Sequence, residues 1–393
     1  MAGREELVAR ARELAPRLGE MAETTERNRS LPEETISAFK DAGLLRALVP
    51  GAWGGYELDF GVVVETTREL GRYCGSSAWC LAICTLHNRI VSTLPDQACE
   101  EVFGASPDAV VCGVFMPGGK AFPVDGGYRL SGQWDFASTC DHAGHALLAG
   151  LITGGPDGDV TGLATFLVRR QDFSIEDNWH VAGLQGTGSK RVAVQDVFVP
   201  TGWTKIVAQG DAARDAGGAR GSDRERRTPH LPVNSTATLG LTGVPLGIAL
   251  GALSTFEERL AGKVRVGTAK DAEAQVGAQL RLAESAVEVD CAELLALRDC
   301  EEMMRTWKSG QWASVEQRGR YRRDTAYIFQ TCARAVARLM PAAGAHGIYL
   351  HGSLQRAMRD TQIMATHIVA DWDQSRETYA RALLDLPVVD AVY

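Results

Sequence analysis

Along residues 5–28, Leu7, Ala11, Leu14, Leu18 and Met21 recur at helical spacing with charges between them, which predicts an amphipathic helix. Ser30-Leu-Pro-Glu33 has the form of a capping box, with Pro in the first turn, and predicts a further helix that stops near Gly43. Pro50-Gly51, Gly54-Gly55 and Gly61 mark a loop, and residues 62–90, rich in Ala, Leu and Cys, predict helix again. The texture changes near 107. AVVCGVFM (109–116) is a short apolar run between Pro107 and Pro117, and Gly126-Gly127 reads as a hairpin turn between AFPV and YRLSGQWDF. HALLAGLI, GLATFLV and VAVQDVFV follow, each rich in branched residues and broken by Gly, Asp or Pro. This stretch predicts antiparallel strands in a small barrel or sandwich. Residues 209–232 are polar and Gly-rich, as expected of a solvated loop.

From 235 onward the pattern is helical. Gly243, Pro245 and Gly247 lie in or near the start of an apolar helix, and amphipathic stretches cover 270–308, 312–339 and 353–384, with Pro341, Gly344 and Gly347 separating the last two. Four such helices suit an antiparallel bundle. The expected organisation is therefore α+β and multidomain: a helical domain (1–106), a β-domain (107–207), a flexible loop (208–234) and a four-helix bundle (235–393). This order is not βαβ, which disfavours the parallel-sheet dinucleotide folds.

Composition narrows the class. The 393 residues are 45% hydrophobic and 23% charged, as in a soluble globular protein with a large core. The net charge of −8 argues against a general nucleic-acid binder, which needs a basic face. Nine cysteines, an odd number, fall partly in apolar stretches and read as reduced, buried thiols. The N-terminus MAGREELVARARELAPR has no apolar signal core, and no run of 18 apolar residues predicts a membrane span. A cytoplasmic protein is expected.

Several groups could carry chemistry. Gly186-Thr187-Gly188-Ser189 could turn backbone N–H groups toward an anionic or electron-rich ligand, although a tight turn explains it as well. Trp134-Asp-Phe136-Ala-Ser138 ends a strand and could offer an aromatic wall and a hydroxyl to a planar cofactor; core packing of the aromatics is the plainer reading. His142 and His145 beside Cys140 and Asp141 have no second cluster to complete a metal site, so no metal is expected. On the expected helix 353–384, His367 has Asp360, Met364 and Asp371 on its face, a setting in which histidine can exchange a proton; a satisfied interior histidine fits too. Neither a nucleophile elbow nor a P-loop occurs.

Taken together, YRLSGQWDFASTCDHAGHALLAG (128–150), WHVAGLQGTGSKRVAVQDVFVP (179–200), GSSAWCLAICTLH (75–87) and SLQRAMRDTQIMATHIVADWD (353–373) resemble the two-component, reduced-flavin-dependent monooxygenases of the acyl-CoA dehydrogenase fold. The likeness spans essentially the whole chain and is nearest to the actinorhodin-type polyketide hydroxylases and the hydroxyphenylacetate hydroxylase oxygenase components. It implies a helical domain, a central antiparallel β-barrel and a C-terminal four-helix bundle. The glutamate base of acyl-CoA dehydrogenases, in an IYEGT-like stretch, is replaced here by MATHIVADWD.

Carried over by position, the resemblance puts Ser138 beside flavin N5. Trp79, Trp134, Phe136 and the loop Gly186, Thr187, Gly188 and Ser189 would line the ring, and Arg265 in KVRVG would reach a neighbouring subunit's flavin phosphate. By the same resemblance His87 and His367 would face the substrate, with His367, Ser138 and His87 as the catalytic set; the sequence itself offers Phe115, Met116, Trp134 and Trp179 as apolar lining, and Met364 and Asp371 beside His367 as further substrate contacts. The implied reaction uses reduced FMN, or FADH2, supplied by a separate NAD(P)H-flavin reductase. O2 adds at flavin C4a as a hydroperoxide, and a phenolic or polyketide-like aromatic is hydroxylated, in antibiotic biosynthesis or aromatic catabolism. His367 would deprotonate the substrate. A homotetramer without nucleic-acid or membrane partners is expected. Other readings of the same scaffold are N-oxygenation of an amine or amino sugar, acyl-CoA dehydrogenation with a relocated base, and a non-catalytic assembly partner.

Overall fold

The computed structural model describes residues 2–156, 158–207, 233–261, 276–309, 311, 313–388 and 390. Arg265 and residues 208–232 of the expected loop lie outside the described residues. The N-terminal part is helical: α1 (Arg4–Glu20), α2 (Ala22–Asn28), α3 (Glu33–Asp41), α4 (Gly61–Gly71), α5 (Gly75–Val91) and α6 (Asp96–Phe103). The first periodic stretch breaks at Met21, and Leu7, Ala11, Ala15 and Leu18 form the buried stripe of α1.

The capping box expected at Ser30 does not form. Pro32, in extended backbone, stands at the N-cap of α3, and the Ser30 and Glu33 side chains both turn to His142. The stretch 62–90 is two helices, parted by Arg72–Cys74. Of these, α5 is buried on nearly every side, as expected of a central helix that is apolar round most of its circumference; its buried polar groups include His87 and Asn88, which bond to neighbouring carbonyls. It touches the first β-strand and the Gln185–Thr187 turn on one side, and C-terminal helix Gly243–Leu260 on another.

The middle of the chain forms strands β1 (Val111–Val124), β2 (Gly127–Ala137), β3 (His145–Thr153), β4 (Val160–Arg169), β5 (Ser174–Glu176), β6 (Lys190–Pro200) and β7 (Thr204–Ile206). They make one sheet in the order β5-β6-β2-β1-β3-β4-β7. The expected hairpin forms, but its turn is Asp125-Gly126, one residue earlier than Gly126-Gly127, with Val124 pairing with Gly127. The barrel is not: among the described residues the sheet stays open, and it is not wholly antiparallel, because β1 and β3 run parallel from Val111 opposite His145. The reason is the link after β2. Thr139 in left-handed backbone and the short turn Cys140–His142 carry the chain across β1 before β3 begins.

The C-terminal part contains α7 (Val233–Gly240), α8 (Gly243–Leu260), α9 (Val276–Lys308), α10 (Val315–Ala343), α11 (Ser353–Met364) and α12 (Trp372–Leu383). Gly243, Gly247 and Gly251, four apart, line one face of α8 against α4; a Cβ at Gly247 would lie 2.3 Å from the Arg68 carbonyl oxygen. The stretch Ser235–Leu260 is long and apolar enough to cross a bilayer, but most of it is packed inside the protein. Pro341 does not end α10, which runs through it to Ala343; so near the terminus it removes only one late helical hydrogen bond. The expected single helix 353–384 is two, α11 and α12, split by Ala365–Asp371.

Candidate functional site

The helix split decides the setting of His367. It lies in extended backbone at the head of a short turn, Ile368–Ala370, rather than on a helix face. Of its expected neighbours, Met364 stays adjacent, its carbonyl accepting from the His367 N–H at 3.1 Å, while the two aspartates turn to other partners. Asp371 caps α12, accepting from the Gln374 N–H at 3.0 Å. Asp360 accepts from the Leu184 N–H at 2.6 Å, and Met364 is buried at the end of α11. The turn is held from α10, by Arg322 donating to the Ile368 and Val369 carbonyls (2.9 and 2.6 Å) and by Gln330 donating to the Ala365 and Ala370 carbonyls (3.0 Å each).

His367 Nδ1 accepts from the Val369 N–H at 3.3 Å, so the neutral ring carries its proton on Nε2. Burial, and then the Arg322 charge, push its pKa down to about 4. The ring is therefore neutral at pH 7 and presents a donor at Nε2, where a free lone pair was expected.

The His367 ring meets Trp79 of α5 edge-on, centroids 5.3 Å apart. The Trp79 indole N–H in turn donates to Ser138 Oγ at 3.2 Å. Ser138 and Ser189 share a hydrogen bond of 2.7 Å, Ser189 and Thr187 another of 2.7 Å, and the Thr187 hydroxyl donates to the Leu184 carbonyl at 2.9 Å. Three parts of the chain thus converge: α5, the Ser138 and Gly186–Ser189 loops of the β-domain, and the turn after α11. Gly186 is packed too closely for a side chain, since a Cβ there would lie 2.3 Å from Thr25 Cγ2 of α2.

The bend that aims Ser138 inward is a β-bulge. Between Trp134 and Ala137, β2 advances three residues while β6 advances two. Phe136 takes up the extra residue with φ +69° and is thrown outward, 70% exposed. A phenylalanine at positive φ is strained. Its ring meets Trp179 edge-on at 6.0 Å, and the Trp179 indole N–H donates to the Leu184 carbonyl at 3.4 Å. Leu184 therefore joins the hydroxyl chain to the aromatic pair, and the buried Asp360 carboxylate holds Leu184 from α11.

The remaining expected residues sit apart. Trp134 is enclosed within the sheet against Gly118, Gly119 and Gly132, its N–H donating to the Ala149 carbonyl at 2.7 Å. His87, buried on α5, donates from Nδ1 to the Val111 carbonyl at 2.9 Å and meets the half-exposed ring of Phe115 at 5.4 Å; burial pushes its pKa down to about 4. His142 contacts Glu33 (3.0 Å) and the Leu31 carbonyl (2.8 Å), and His145 contacts Glu101 (3.1 Å), so both tie the β-domain to N-terminal helices. Arg322 and Gln330 carry the geometry but gave no local signal, since each acts on a segment distant in sequence; Asp360, expected beside His367, instead holds Leu184.

The comparisons agree on one lineage. The family models "Acyl-CoA dehydrogenase, N-terminal domain" and "Acyl-CoA dehydrogenase, C-terminal domain" match residues 3–101 and 239–372. The "FADH(2)-dependent resorcinol hydroxylase, oxygenase component" of a Rhizobium species is 32% identical over 97% of this chain and 94% of its own. The "Flavin-dependent monooxygenase, oxygenase subunit HsaA" of Mycobacterium tuberculosis is 31% identical over 96% of this chain and 95% of its own. The crystal structure of "3-HSA hydroxylase" from Rhodococcus superposes with a TM-score of 0.91 at 30% identity, covering 99% of both chains. With likeness of this extent at both ends and through the middle, the chain belongs to the oxygenase components of two-component flavin-dependent monooxygenases on the acyl-CoA dehydrogenase fold.

Proposed function

We propose that the protein binds reduced flavin where α5, the β-domain loops and the His367 turn converge, and hydroxylates a small phenolic aromatic there. The observation that carries this reading is Trp79, whose N–H reaches Ser138 while its ring meets His367. The donor set fits a planar heteroaromatic ring: a buried hydroxyl, two indoles, and the outward face of Phe136, which is strained into exposure. Reduced flavin, when bound, supplies the electrons that make O2 an oxygen donor. A separate NAD(P)H-flavin reductase supplies it, and the flavin is reduced FMN or FADH2.

On this reading Ser138 orients the ring through N5, while Trp79, Phe136, Trp179 and the Gly186–Ser189 loop bound its faces. The surrounding apolar side chains exclude water. His367 holds its proton at Nε2 and presents it to the substrate oxygen, positioned by Arg322 and Gln330. Phe115, with His87 behind it, and the exposed Met116 offer apolar surface to an aromatic substrate. Buried positions of eight of the nine cysteines, Cys291 excepted, suit a cytoplasmic protein. We further propose a homotetramer, supported by an exposed apolar stripe on α9.

The test is anaerobic titration with reduced FMN and reduced FAD, then an oxygen pulse in the presence of a panel of phenols. Hydroxylated product and hydrogen peroxide are counted per reduced flavin. The wild type is expected to hydroxylate at least one phenol. His367→Ala should bind the flavin as before and lose about tenfold or more in product, peroxide replacing it. Peroxide alone from the wild type with every phenol overturns aromatic hydroxylation, and an unchanged product yield in His367→Ala overturns the role of His367.

A further inference from the structure

We infer that Thr187 and Ser189 fix Ser138 as an obligate hydrogen-bond acceptor, and so make the site selective for a flavin that carries hydrogen on N5. This rests on the reading that Ser138 faces flavin N5. The argument is one of proton counting along the buried chain. At one end stands the Trp79 indole N–H, which can only donate; at the other stands the Leu184 carbonyl, which can only accept. Between them lie the hydroxyls of Ser138, Ser189 and Thr187, all buried.

Four hydrogen bonds join these five groups, and they hold four protons. One arrangement satisfies every bond. Thr187 donates to Leu184, Ser189 to Thr187, Ser138 to Ser189, and Trp79 to Ser138. The proton of Ser138 is thereby committed, and its oxygen keeps one lone pair for a ligand. Reversing the chain gives up the hydroxyl bond to Leu184, a loss worth about tenfold in population. Oxidised flavin has a lone pair at N5, which would oppose the lone pair of Ser138. Reduced flavin has N5–H, which completes it. Thr187 and Ser189 are thus positioning residues that act through Ser138.

The experiment measures dissociation constants for oxidised and anaerobically reduced FMN and FAD, and for the reduced 5-deaza analogues, which have CH2 in place of N5–H. The wild type should favour the reduced natural flavin over its reduced 5-deaza analogue by about tenfold. Ser189→Ala frees the Ser138 proton to donate to oxidised N5. It should lower the oxidised-to-reduced ratio of dissociation constants by about tenfold. Thr187→Val should lower the ratio too, and Thr187→Ser, which keeps the hydroxyl, should restore it. Thermal melts confirm that each variant is folded. A ratio unchanged within about twofold in folded Ser189→Ala and Thr187→Val overturns the inference while leaving the flavin site intact. Equal wild-type affinity for the reduced natural and 5-deaza flavins overturns it without any variant. Binding of neither FMN nor FAD in either state overturns both the inference and the site beneath it.

Discussion

His87 and His367 are both uncharged at neutral pH, and desolvation is the main cause in each, pushing the pKa from the ordinary 6.5 down to about 4. Linkage fixes the sign of the consequence. Between pH 6.5 and 4 the unfolded chain binds protons that the folded rings refuse, so stability is full above 6.5 and is lost as the pH falls toward 4. His87 is the cleaner probe, because its Nδ1–H is committed to the Val111 carbonyl and it lies outside the hydroxyl chain. Urea midpoints of the wild type should drop between pH 7 and pH 5, by on the order of 1–2 kcal/mol in unfolding free energy for each histidine. His87→Gln should be less stable at pH 7 but show a shallower drop; an equal drop would mean that His87 does not titrate with unfolding. At this scale, residue type in the sequence singled out Ser138, Ser189 and His367, the family resemblance added Trp79, and the four do converge. They could not tell Trp134, enclosed by three glycines, from Phe136 two residues on, because the bulge that turns one inward and the other outward depends on pairing with β6.

The turn between α11 and α12 is the element on which the site depends. Nothing apolar in IMATHIVADWD departs from helical periodicity, so the pattern alone predicts an unbroken helix. A capping signal was nevertheless present. Asp371 and Gln374 stand in cap spacing, and the Asp371 side chain does accept from the Gln374 N–H. Ser30 and Glu33 show the opposite case: the same spacing, with both side chains drawn away by His142 from the β-domain. Local capping patterns are therefore decided by what else can reach the side chains. The crossing of α8 on α4 is firmer, because backbone excludes substitution there. A Cβ at Gly247 would meet the Arg68 carbonyl oxygen at 2.3 Å and Gly71 Cα at 2.9 Å, atoms that cannot swing aside. Gly247→Ala should therefore force the helices apart and destabilise the protein by about 1–3 kcal/mol, visible as a lower melting temperature. Gly277→Ala is the matched control: a Cβ there meets only the end of the Arg281 side chain, and its melting temperature should change little.

For the whole molecule, the order helix, sheet, helix was legible because each third has its own period. The open sheet and its parallel β1–β3 pair were not, since strand order is set by a crossover that leaves no periodic trace. The surface of α9 bears on assembly. One face of this helix is buried through Ala278, Ser285, Val289, Ala292 and Ala296, as bundle packing requires. Another carries Leu280, Val287 and Leu294, seven residues apart and each more than half exposed, with Val276 one turn before Leu280. A seven-residue apolar repeat on a face left exposed among the described residues matches the geometry of helix pairing between copies. In an antiparallel pair centred on Val287, Leu280 of one copy meets Leu294 of the other, so a single helix supplies a self-complementary seam. Val287→Glu would set two carboxylates against each other at the centre while leaving the protomer core untouched. The proposed tetramer should then fall to a smaller species in sedimentation velocity, with the far-ultraviolet circular dichroism of the wild type retained. A wild type that sediments as a monomer would remove the stripe as an assembly surface, and an unchanged size in Val287→Glu would place the contact between copies on another face.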